Sequence, residues 1–120
     1  MIIYDLADWA VAARTGDHPE EAFHWAKRAV IDWCATTAPG AQVQPATGMV
    51  KALEEDIGRG KARLFPSGAA ATMRTAAIIN AAASHTVEFD DIFRDALFHA
   101  GTPTVSTALA AAEQENLSGE

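Results

Sequence analysis

The chain has 120 residues, with 9 Lys+Arg against 16 Asp+Glu, a formal net charge of −7, 49% hydrophobic and 21% charged residues. A chain of that length holds one domain. Its acidity excludes a general binder of nucleic acid or anionic membranes, and its hydrophobic share excludes disorder. Alanine accounts for 27 of the 120 residues. Alanine is the best helix former and a poor strand former, so the composition predicts an all-α fold.

Apolar positions at Ile3, Leu6, Ala7, Ala10 and Val11 recur at helical spacing and predict a first helix over 2–15, stopped near Gly16. A second helix is expected over 18–37. Asp17 is its N-cap, Glu20 and Glu21 sit in its first turn, and Ala22, Ala26, Ala29, Val30, Trp33 and Cys34 form an inward stripe. Ala38–Pro39–Gly40 reads as its stop. The third helix, 47–57, turns Val50, Leu53 and Ile57 inward and ends at Gly58–Arg59–Gly60. Lys61–Pro66 reads as a short extended linker.

The fourth helix, 68–87, carries alanine and isoleucine around its whole circumference, and at 1.5 Å per residue spans roughly 30 Å. A helix apolar on all sides is the buried centre of a larger bundle, and four short helices would not cover it. An acidic loop, Glu88–Gly101, follows. Thr102 then caps a fifth helix with Val105, Ala108, Leu109 and Ala112 inward, and Ser118 looks like the cap of another. These features predict a bundle of about five helices forming part of a larger helical domain, or one that buries its surplus in a homo-oligomer. Cys34 is a lone cysteine, which excludes an internal disulfide and fits a cytoplasmic protein. The residues show no leader pattern and no apolar run long enough to span a membrane.

Chemistry concentrates between Ser84 and His99, where four acids, two histidines and one arginine surround phenylalanines. If the fourth helix continued, His85, Glu88 and Ile92 would share a face. Apolar neighbours would desolvate the carboxylates and suit them to proton transfer, with His99 as acid or base. The competing reading is a solvated acidic loop at a helix end. His85 and Glu88 resemble half of a bundle-type metal site, but no matching second half exists and the acids fit no EF-hand spacing, so no metal is expected. Gly58 and Gly60 do not make a dinucleotide loop, and Ser67 lies outside any nucleophile-elbow pattern. His18 and His24 read as surface residues, and Trp9, Trp25 and Trp33 as packing anchors.

Three segments, AVIDWCATTAPGA (29–41), AAIINAAASHTVEFDD (76–91) and HAGTPTVSTALAAAE (99–113), resemble the MmgE/PrpD family of 2-methylcitrate dehydratase, cis-aconitate decarboxylase and iminodisuccinate epimerase. The resemblance implies that residues 1–120 are the N-terminal part of a large helical domain, with a smaller α+β lid domain lying outside this chain. It implies a cleft lined by the acid that opens the tetrad, Glu88, and by the following histidine, His99. Glu88, Asp91 and His99 are therefore the expected catalytic residues, with His85 and Asp90 binding substrate. The expected reaction is proton transfer next to a carboxylate of a small polycarboxylate, giving dehydration, decarboxylation or epimerisation without a cofactor. This sequence departs from the family where Glu88 replaces the usual Asp, where Ile92 replaces Thr or Ser, and where Ala100 replaces Pro. The lysines, tyrosine and further histidine of family sites have no counterpart here, so this chain alone is expected to be inactive. A reading from another class is a non-catalytic helical module that associates through its Ala-rich faces.

Overall fold

The computed structural model describes residues 1–14 and 16–118. Among them, five helices run in order: α1 (Ile2–Ala13), α2 (Glu20–Gly40), α3 (Ala46–Ala52), α4 (Met73–Thr86) and α5 (Gly101–Glu115). Between α3 and α4 lies a two-stranded antiparallel sheet, β1 (Ile57–Leu64) and β2 (Ala69–Ala71). The fold is mostly helical, at 64%, which corrects the all-α expectation. The helix expected after Ser118 lies outside the described residues.

The sheet arises where local propensity gives way to pairing. Arg63 faces Ala70 and Leu64 faces Ala69, while Ile57 and Ala62 both pair with Ala71 around an irregular bulge. Gly58 and Gly60 make that bulge possible at φ 80° and 87°, a region that L side chains avoid. They therefore shape a strand instead of ending a helix, and α3 stops at Ala52. Gly60 is also pressed against the sheet, since a Cβ there would lie 2.6 Å from the Ala71 carbonyl oxygen. The fourth helix begins five residues later than its alanines suggest. Thr72 is its N-cap and accepts the Thr75 N–H at 3.4 Å, and Ala69–Ala71 upstream is held extended by β1. Asp56 ties the two together, its carboxylate accepting the Thr75 hydroxyl at 2.6 Å and Arg74 at 3.4 Å. The Thr75 hydrogen bond, helped by Arg74 and opposed by burial, holds the Asp56 carboxyl below the usual range.

The core is built from small residues. Ala62, Leu64, Ala71, Ala76, Ile79 and Ala110 form one buried cluster where β1, β2, α4 and α5 meet. Such side chains let backbones close in, most tightly where α2 crosses α4: a Cβ on Gly40 would lie 1.9 Å from the Ala83 carbonyl oxygen. Asn80, buried on α4, accepts the Phe65 N–H at 3.0 Å and donates to the Arg63 carbonyl at 2.9 Å, clamping the end of β1. Trp33 is the anchor of α2, donating to the Ser106 hydroxyl at 2.8 Å and packing against Phe65.

The expected inward stripes hold only in part. On α2, Trp33 is buried while Ala22 and Ala26 are exposed. On α5, Val105, Ser106 and Ala110 point inward, with Ala108 and Leu109 exposed. The α4 helix is covered on one side, and Met73 and Ile78 remain exposed. No residue of α1 is buried.

Candidate functional site

Three elements converge on the acidic loop. The C-terminal end of α4 presents His85, and the helix stops at Thr86, so His85, Glu88 and Ile92 do not share a helical face. Glu88 follows at φ 53°, a left-handed turn that redirects the chain. The loop then folds on itself where Phe93 and Phe98 exchange backbone hydrogen bonds at 2.7 and 3.2 Å around a 3-10 turn, Arg94–Ala96. It returns through His99 to the start of α5.

Asp90 is the centre of this arrangement. Its side chain is 2% exposed, and its Oδ2 lies 3.0 Å from His85 Nδ1 and 3.1 Å from His99 Nδ1. The same oxygen accepts the Thr102 hydroxyl at 2.9 Å, and that hydroxyl accepts from Ser84 at 3.1 Å. The His85 contact is an aligned hydrogen bond; His99 Nδ1 is close but not aligned, and it and Asp90 Oδ1 are buried without a hydrogen-bond partner. The two imidazoles meet edge to face at 4.6 Å. Burial pushes the Asp90 carboxyl up, but the hydrogen bonds from His85, Thr102 and its own backbone, with the His85 charge, more than offset this and hold it below the usual carboxylate range.

Asp91 does a different job. Both of its carboxylate oxygens accept the Gly101 N–H, at 2.9 and 3.1 Å, so it closes the loop onto the first turn of α5. The approach is tight enough that a Cβ on Gly101 would lie 2.5 Å from that carboxylate. The Asp91 N–H in turn donates to Asp32 Oδ2 on α2 at 3.2 Å.

Beside the cluster opens a cleft of about 560 Å³, walled by Ala81, Ala82 and His85 of α4 and by Glu88, Phe98 and His99 of the loop. Glu88 is exposed there. This corrects the expectation of a carboxylate desolvated at that position: the buried carboxylate is Asp90. The structure brings His85, Asp90 and His99 together, keeps Glu88 at the cleft wall and sets Asp91 apart on backbone. His85, Asp90 and His99 offer ligand-type atoms within 4.8 Å of one another, a spacing and donor set that would admit a small divalent cation. Their atoms are turned instead onto one carboxylate oxygen that a hydroxyl already occupies.

Asp32 and the true partner of Thr102 are not legible in the sequence, and the expectation that Thr102 caps the fifth helix is corrected: that helix has no side-chain cap. Thr102 was legible as a hydroxyl at a helix start, but its bond goes to Asp90 and not to the helix backbone. Asp32 lies 59 residues from Asp91, and no local spacing signals such a contact.

A mostly helical domain with a histidine–aspartate cluster opening on a cleft at a helix end is the class that fold and site define. The model of the MmgE/PrpD N-terminal domain matches residues 4–120, and the chain belongs to that family. It is a family of dehydratase- and lyase-type enzymes. Neither the curated proteins nor the solved structures contain a match to the chain. Among the described residues, no helix is long and apolar enough to cross a membrane.

Proposed function

We propose that this chain forms the helical wall of an active site that moves a proton next to a carboxylate of a small polycarboxylate, leading to dehydration, decarboxylation or epimerisation. The observation that carries the reading is the buried Asp90 flanked by two imidazoles at the wall of an open cleft. A carbon-bound proton beside a carboxylate passes to a base, and the electron pair left behind is delocalised into that carboxylate. His99, whose side chain is 31% exposed, binds the substrate or handles this proton, and Glu88 on the same wall orients it or takes part in the transfer. Asp91, committed to the Gly101 N–H, serves by holding the loop in place. His85 contacts substrate from the α4 side. Asp90, at 2% side-chain exposure, serves the histidines and not the substrate directly.

Among the described residues no lysine or arginine lines the cleft, while its walls include Glu88. A polyanionic substrate and a developing carbanion both need positive partners, so cations must come from a further segment such as the lid domain that the family resemblance implies. The whole reading frame is therefore the protein to test, in a cytoplasmic setting that suits the single free thiol Cys34. Incubation in D₂O with citrate-, aconitate- and iminodisuccinate-type acids should give deuterium incorporation or loss of water or CO₂, followed by NMR. No exchange and no product with any of these acids would refute the reading.

A second reading rests on α1. Ile2, Ile3, Tyr4, Leu6, Trp9 and Val11 are all more than half exposed, an apolar surface of the kind that marks a partner interface. Association through α1 into a homo-oligomer is compatible with catalysis, and it is the whole function if the cleft proves inert.

A further inference from the structure

The two ring nitrogens of an imidazole sit on opposite edges of the ring, and what faces one decides where the proton resides. Both Nδ1 atoms lie close to Asp90 Oδ2: that of His85 at 3.0 Å in an aligned hydrogen bond, that of His99 at 3.1 Å off the hydrogen-bond line. A nitrogen lone pair that close to a carboxylate oxygen is repelled by it, whereas an N–H is attracted. The hydrogen bond places the proton on His85 Nδ1, and at 3.1 Å the same carboxylate charge favours an N–H over a lone pair at His99 Nδ1, although a free neutral imidazole prefers the proton on Nε2. His99 Nδ1 is buried while 31% of that side chain is exposed, so the accessible edge of the ring is the Nε2 edge. His85, 49% exposed, lines the same cleft. The orphaned Asp90 Oδ1 fits this picture: its buried, unpaired state is costly, and the donors gathered on Oδ2 offset the cost.

We propose that Asp90 is a shared positioning carboxylate, holding His85 and His99 together as Nδ1–H tautomers so that both Nε2 lone pairs face the cleft as proton acceptors. The inference rests on the proposed reaction only in taking the cleft as the reacting face. It assigns Asp90 a role apart from substrate contact and makes His85 the second member of a base pair. Thr102, donating to Asp90 Oδ2 at 2.9 Å, fixes the carboxylate but is not needed for the tautomers.

The experiment is a long-range ¹H–¹⁵N correlation spectrum of the ¹⁵N-labelled chain at about pH 8.5, roughly two units above the ordinary imidazole pKa. Nitrogen shifts should report Nδ1–H for His85 and His99, and Nε2–H for the exposed His24. Asp90→Asn should move both site histidines toward the Nε2–H form and leave His24 unchanged; Thr102→Val should leave both as Nδ1–H. Should Asp90→Asn not fold, the wild-type spectrum with His24 as internal reference decides by itself. Nε2–H at either His85 or His99 in the wild type overturns the proposal. The readout needs no turnover: Nδ1–H tautomers in a protein inert toward every polycarboxylate sink the reaction and leave this assignment standing.

Discussion

Glu88 stands in solvent at φ 53° while Asp90, two residues on, is buried and held in its charged form. The contrast sets different tests for the two. Because the folded-state pKa of Asp90 lies below its unfolded value of about 3.9, its contribution to stability is fully present above that pH and is lost as pH falls through the folded value. Asp90→Asn should thus lower the urea midpoint at pH 7, with the gap to wild type narrowing as pH drops below about 3.9. A gap that stays constant through that window would show the carboxylate to be energetically idle. Glu88→Gln changes an exposed side chain, so its melting temperature should stay close to wild type. In the active protein its kcat should fall at least about tenfold, roughly 1.4 kcal/mol of barrier. Wild-type turnover from that variant would remove Glu88 from the reaction. His99→Ala should cost about 10²-fold in kcat/KM, the scale of lost acid–base catalysis, while exposed His24→Ala should cost nothing. Equal kinetics in the two variants would leave the loop without a catalytic part.

The helices are placed by small residues more than by large ones. Gly40 marks the closest approach of α2 and α4, and a methyl group there would sit 1.9 Å from the Ala83 carbonyl oxygen, part of a backbone that cannot swing aside. Gly40→Ala should therefore destabilise the fold by about 1–3 kcal/mol, the cost of overpacking, despite alanine's better helix propensity. Urea denaturation measures it, and a stabilised variant would mean that the crossing is looser than described. Because α4 carries both Asn80 at the core and His85 at the cleft, a shift at that crossing should also weaken His85 alignment. Alternation at Ala62 and Leu64, with Lys61 and Arg63 outward, marks β1 as a strand. Its outer edge is covered by α5, where Glu113 accepts the Arg63 N–H at 2.7 Å and Gln114 the Lys61 N–H at 3.2 Å.

At the scale of the molecule, α1 is the feature that the packing leaves open. Its apolar residues contribute nothing to the buried core, so the hydrophobic effect favours covering them with another surface. The chain should sediment as a dimer or larger species, and Leu6→Glu with Trp9→Glu should shift it toward monomer without lowering helical content. A wild-type chain that stays monomeric at all accessible concentrations would refute association through α1.

The helical character, the family and the stretch that holds the histidine–aspartate cluster were all legible in the residues themselves, because alanine content, caps and the run Ser84–His99 are local signals. Thr72 was a local signal as well, yet the Ala69–Ala71 run hid it: propensity favours helix there, and pairing with β1 outweighs it. Gly58 and Gly60 were ambiguous for the same reason, since a glycine ends a helix or bulges a strand depending on what lies opposite. The roles inside the acidic cluster needed the fold. Glu88, Asp90 and Asp91 are chemically similar neighbours; what separates them is burial against His85, His99 and Thr102, and the Gly101 and Asp32 contacts 10 and 59 residues away. Spacing along a chain orders side chains only while the backbone stays regular. The helix ends at Thr86 and the chain turns at Glu88, so beyond that point tertiary contacts alone decide which carboxylate is buried, which is bound to backbone and which faces the cleft.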